Sequence, residues 1–78
     1  MTTAQIKEKV TDIILNTIDN KERANKVIVS IDDVPNGILV YLSHGATLGE
    51  ALDIQEEIKY QGLSIPEQMG NSVIYVTE

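Results

Sequence analysis

The chain contains no cysteine, no tryptophan and no phenylalanine. Without cysteine there is no disulfide, no thiolate nucleophile and no cysteine-based zinc site. The absence fits a cytoplasmic protein without requiring one, and cytoplasmic is the location expected. Basic residues are scarce too: six Lys and Arg stand against twelve Asp and Glu, a net charge of −6. Lys and Arg supply most of the affinity for phosphate backbones, so no nucleic-acid partner is expected. No apolar run approaches the ~18 residues of a membrane span. No charged-then-apolar leader precedes a small-residue cleavage site, so neither membrane nor secretory targeting is expected. A lone histidine with scattered carboxylates lacks the ligand spacing of zinc, and Asp32-Asp33 lacks the calcium-loop pattern around it. No metal and no cofactor are therefore expected.

What remains is a chain of 78 residues, 42% hydrophobic, with no Gly/Ser linker and no low-complexity segment. It reads as one small domain over residues 1–78. A chain of this length buries only about 60% of the surface that its unfolded form exposes, so each apolar position carries weight.

The spacing of Ile6, Val10, Ile13, Ile14, Thr17 and Ile18 predicts an N-terminal helix with one apolar stripe. Thr2 and Gln5 match a capping box at its start. Leu15 points off the stripe. The polar stretch Asp19 to Lys26 ends this helix or carries it a turn into solvent. Two β-rich runs then flank Val34-Pro35-Asn36-Gly37, a combination that predicts a hairpin around a type I turn. Pairing Asp33 with Ile38 gathers Val27, Val29, Ile31, Ile38, Val40 and Leu42 on one face, and a slip of one residue would scatter them. A second helix is predicted from about Leu48 to Tyr60. Leu48, Ala51, Leu52 and Ile58 form its inner face, Ile54 lies on one flank, and Gly62 follows as a left-handed cap with Leu63 folding back. The tail fits a second hairpin around Gly70-Asn71, with Ile65 opposite Val76 and Ile65, Met69, Ile74 and Val76 on one face. Pro66 confines that strand to an edge or to a loop. The expected fold class is α+β: a two-layer sandwich in αββαββ order, an antiparallel sheet with two helices on one face.

Residues Ser43 to Glu50 resemble a site more than any other stretch, yet each chemistry they suggest fails on inspection. Gly45 and Gly49 match no phosphate-binding glycine pattern. Thr47 and Glu50 form a second capping box, which occupies the N–H groups an anion would need. Ser43 and His44 are neighbours on a strand, point to opposite faces and cannot act as a dyad. No catalytic residue is assigned, and the protein is expected not to be an enzyme. The segment reads as a structural corner that holds the one histidine of the chain.

The outer sheet face is less polar than a solvated face should be. In the register above it carries Ile28, Leu39, Tyr41, Val73 and Tyr75, interleaved with Ser30, Asp32 and Ser43. Five such side chains together make an apolar patch of several hundred Å², the size of an interaction surface. They are the candidate partner-binding residues. The expected partner is a second copy of the chain, since symmetric dimers are the commonest oligomers, or else another protein. Tyrosines on strands also serve as base-stacking platforms, but none of the six basic residues lies on these outer positions to frame one. The sequence thus points to a non-enzymatic binding or regulatory module acting through an apolar sheet face as a homodimer. The alternative is an acidic inhibitor that occupies a basic, nucleic-acid-binding surface of another protein.

Overall fold

A computed structural model describes all 78 residues. The protein is α+β, with three helices and a three-stranded antiparallel sheet. The elements run α1 (Thr3–Thr17), α2 (Lys21–Val27), β1 (Ile28–Val34), β2 (Gly37–Leu42), α3 (Leu48–Tyr60) and β3 (Val73–Thr77). The sheet order is β1-β2-β3, with β2 central. Relative to the αββαββ expectation, one helix is added and one strand is missing.

Helix α1 is set by the signals that its sequence shows. Thr2 accepts from the Gln5 N–H while the Gln5 side chain accepts from the Thr2 N–H. The stripe Ile6, Val10, Ile13, Ile14 and Ile18 is buried. Leu15 is half-buried and packs against the core rather than standing free. The polar stretch after Ile18 is neither a frayed end nor a loop. Asn20 caps a new helix by accepting from the Arg23 N–H, and α2 buries Ala24 and Val27. Two apolar positions in seven residues give too weak a periodicity to announce a helix from sequence.

Helix α2 runs into β1 with no intervening residue. The hairpin pairs Asp33 with Ile38 as expected and closes on Val34 opposite Gly37, so its loop is Pro35-Asn36 alone. Asn36 has φ 68°. Proline at the second position and a left-handed residue at the third belong to a type II turn, not type I, and Asn tolerates that conformation better than most residues. Further along, the register shifts between Ile28 and Ser30. This β-bulge inserts Val29 as an extra residue. Ile28 pairs with Leu42 on the inner face and packs against the core, whereas Val29 is 66% exposed. Both residues are exchanged relative to the uninterrupted alternation expected from sequence.

Helix α3 has the expected limits. Its start is the capping box of Thr47 and Glu50. At its end the Gly62 N–H donates to the Lys59 carbonyl and the Leu63 N–H to the Ile58 carbonyl, with Gly62 at φ 90°. This is a Schellman cap, with Leu63 buried against the last turn. The rotation of the helix differs from expectation. Ala51, Ile54, Gln55 and Ile58 face inward, while Leu48 and Leu52 are about half exposed, at 56% and 49%. Two apolar stripes overlap on α3, and the one holding Ile54 goes inside.

The second hairpin does not form. Residues 64–70 meet β3 only at isolated bridges, Ser64 with Thr77 and Gln68 with Ile74. The first of these lies in the predicted register, and Ile65 packs partly against the core, but Met69 is exposed. Pro66, lacking an N–H, cannot extend the ladder. One cluster of 16 buried residues holds the molecule together, drawn from all three helices, the inner positions of β2 and β3, and Ile18 and Leu63.

Candidate functional site

The strand register builds the outer sheet face row by row. In one row Ser30 stands beside Tyr41, and Tyr41 beside Val73. In the next, Asp32 stands beside Leu39, and Leu39 beside Tyr75. In the third, Val34 stands beside Gly37, and Gly37 beside Thr77. Side chains directly opposite across antiparallel strands share a face and touch. The face therefore brings Leu39, Tyr41, Val73 and Tyr75 into one contiguous group, each half-buried by its neighbours. None of the four belongs to the core or packs against it.

Of the five candidates read from sequence, Ile28 is the one that lies elsewhere. Its alternation with Leu42 puts it on the helix side. Val29, next to it, alternates to the outer side and extends the apolar group toward β1. What separates the two is the bulge at Val29, where the register shifts between Ile28 and Ser30.

Tyr75 has a local role as well. A Cβ added at Gly37 would fall 3.2 Å from Tyr75 Cε1, so the phenol ring lies over the glycine. A glycine in a strand leaves a gap in the face, and a cross-strand aromatic ring that covers it restores packing. Asp32 is the one charged side chain in the three rows.

Both sheet edges are blunted. The free edge of β1 is bent by the bulge and carries Asp33 on its helix side, where an incoming strand would meet a carboxylate. The outer edge of β3 is capped by Ser64, whose N–H and carbonyl both pair with Thr77 at 2.9 Å.

The corner at residues 43–50 is tied down from several directions. The Ser43 N–H donates to the Val27 carbonyl, and the Ala46 N–H to the Ser43 carbonyl. Arg23, 27 residues away in sequence, grips Glu50 with two bonds: Nε to Oε2 at 2.9 Å and Nη2 to Oε1 at 2.6 Å. The same Nη2 donates to the Gly45 carbonyl at 2.7 Å. The hydrogen bond from Arg23, then that from the Thr47 N–H, pull the Glu50 carboxyl down from 4.5 to about 2. In return Glu50 raises the Arg23 pKa above its ordinary value. Arg23, Thr47 and Glu50 are all engaged in holding the corner, while His44, within it, is exposed. No group of three or more His, Asp or Glu side chains is placed to hold a metal ion.

A second feature escaped the sequence reading. Asp53, Glu56, Glu57 and Tyr60 fall at helical spacing on α3 and, with Thr17 of α1, line an open cleft of about 400 Å³. Tyr60 is 82% exposed. The spacing i, i+3, i+4, i+7 of these four residues was the available signal. On another face of α3, Gln55 is 6% exposed and its Nε2 donates to nothing. An unpartnered buried amide costs about 1–3 kcal/mol. No helix is long and apolar enough to cross a membrane. No protein-family model, no curated protein and no solved structure matches the chain.

Proposed function

We propose that the protein is a non-enzymatic binding or regulatory module that works as a homodimer through the outer face of its sheet. The architecture that accompanies this reading is a two-layer sandwich, with helices covering one sheet face and a second copy covering the other. One observation carries it: Leu39, Tyr41, Val73 and Tyr75 are contiguous on the side away from the core. Burying one such side chain is worth roughly 1.5–3 kcal/mol. The blunted edges of β1 and β3 favour the face over edge-to-edge pairing. The total accessible surface is 4698 Å². A monomer of 8.6 kDa has about 4,700 Å² by the usual scaling, so no arm projects to embrace a partner and the contact is a flat one. A cytoplasmic location and the lack of a nucleic-acid partner belong to the same reading.

The test is mass in solution across a range of concentrations, for the wild type and for Tyr41→Glu. A concentration-dependent dimer that the substitution converts to monomer supports the reading. A wild type that stays monomeric throughout, or a dimer indifferent to Tyr41→Glu, removes it.

The cleft on α3 favours the second reading, an acidic inhibitor of a basic protein surface. Asp53, Glu56 and Glu57 surround an exposed tyrosine there. Capture of a basic partner through this cleft weakens steeply with salt, whereas binding through the apolar sheet face does not.

A further inference from the structure

We infer that the dimer, which rests on the reading above, has its two-fold axis parallel to the strands and over β2, so that β1 of each copy covers β3 of the other. Two three-stranded faces overlap fully in only two ways. A two-fold across the strands stacks each strand on itself in reverse. A two-fold along the strands keeps each row in register and exchanges the outer strands.

Asp32 decides between them. It is exposed, it stands in the middle row at the β1 side, and it is the one charge on the face. The crosswise axis lays β1 on β1 and brings the two Asp32 carboxylates within about a row of each other, roughly 7 Å along the strand, between two sheets. Like charges so placed repel in a partly dry space. The lengthwise axis sends the two Asp32 residues to opposite rims. Each then lies over the row that holds Tyr75 of the second copy, whose phenol O–H is a donor for a carboxylate. In the neighbouring row Ser30 and Val29 lie over Val73 of the second copy, and Tyr41 meets Tyr41 on the axis.

Size sets the strength. Strands of 7, 6 and 5 residues make up the face. At ~4.8 Å between strands and ~3.3 Å per residue its flat footprint is roughly 300 Å². With side-chain relief, two such faces reach only the low end of specific interfaces, near 1,000 Å² in total, so the dimer is a weak one.

The absence of cysteine allows a clean geometric test. Ser30→Cys and Val73→Cys chains are prepared separately, mixed at high concentration and treated with a short bismaleimide. A mixed Ser30→Cys/Val73→Cys cross-link well above a Ser30→Cys homodimer is expected, and adding Tyr41→Glu to both chains abolishes it. In a parallel mixture of Ser30→Cys with Val34→Cys chains, the pair that a crosswise axis superposes, linking above that of Ser30→Cys with Val73→Cys overturns the lengthwise axis while leaving the face dimer standing. A wild type that is monomeric at all concentrations overturns both. Asp32→Asn is a second check: its dissociation constant stays within about threefold of wild type at low salt, whereas a crosswise dimer tightens tenfold or more.

Discussion

Residues 43–47 take the chain from β2 into α3, and residues 63–72 take it from α3 back into β3. The first passage is short and every residue except His44 is held. Ser43 bonds to Val27, Ala46 to Ser43, Gly45 to Arg23, and Thr47 to Glu50 in both directions. The second is twice as long and is held at its ends and at one bridge between them, Gln68 with Ile74. Leu63 closes the helix cap, Ser64 pairs with Thr77, and beyond them the Gln68 side chain bonds to the nearby Gly70 carbonyl. The difference shows what fixes a connection in a small protein. A distant side chain immobilises the first passage, because Arg23 spans 22 residues to reach the Gly45 carbonyl. The second relies on backbone pairing, and Pro66 interrupts that pairing.

The largest effect is expected at β2. If β3 is held by β2 and not by residues 63–72, loosening the β2–β3 contact should cost the most. Gly37→Ala does this, because the new Cβ falls 2.2 Å from the Val76 carbonyl oxygen, a backbone atom that cannot swing aside. The expected loss is about 2–4 kcal/mol in chemical denaturation, on the scale of strained core substitutions. A loss under 0.5 kcal/mol would mean that β3 takes its position from elsewhere.

The first passage is tested next, by pH. The folded Glu50 pKa is lowered from 4.5 to about 2, so its contribution is complete above pH 4.5 and is lost as pH falls toward 2. Wild-type stability should decline through that window. Glu50→Gln should flatten this part of the decline and lower stability at pH 7 by about 1–2 kcal/mol, the scale of a charge-assisted pair with a helix cap. Parallel pH profiles for the two proteins would show that the Arg23 pair contributes nothing net.

The smallest effect is expected in the second passage. Gly70 has φ 88°, which disfavours any side chain, yet no atom lies within 4 Å of an added Cβ. Gly70→Ala should cost under about 1 kcal/mol, because a segment held at so few points can relax away part of the left-handed penalty. A cost equal to that of Gly37→Ala would put the two passages on the same footing.

The sequence showed what local chemistry determines. Both capping boxes, the limits of α3, the Gly62 cap and the Asp33–Ile38 pairing rest on residues within a few positions of each other, and all are present in the fold. What stayed hidden depends on distance or on competition. Arg23 and Glu50 are too far apart for any pattern to join them. Leu48 and Leu52 lost the interior to Ile54 because two stripes of similar apolarity share one helix, and packing against α1 and the sheet chose between them. Helix α2 offers only Ala24 and Val27 as inward residues. On the outer face, Leu39, Tyr41, Val73 and Tyr75 followed from alternation alone, whereas the exchange of Ile28 for Val29 followed from a bulge that alternation cannot foresee.

That bulge has a consequence for how the chain tolerates changes of length. Ile28 faces Leu42 and Ser30 faces Tyr41, so excising Val29 would leave two residues already aligned with consecutive partners. Elsewhere in the sheet the loss of one residue inverts every side chain beyond it. At this position the ladder would simply become regular, and the molecule would shed its most exposed valine.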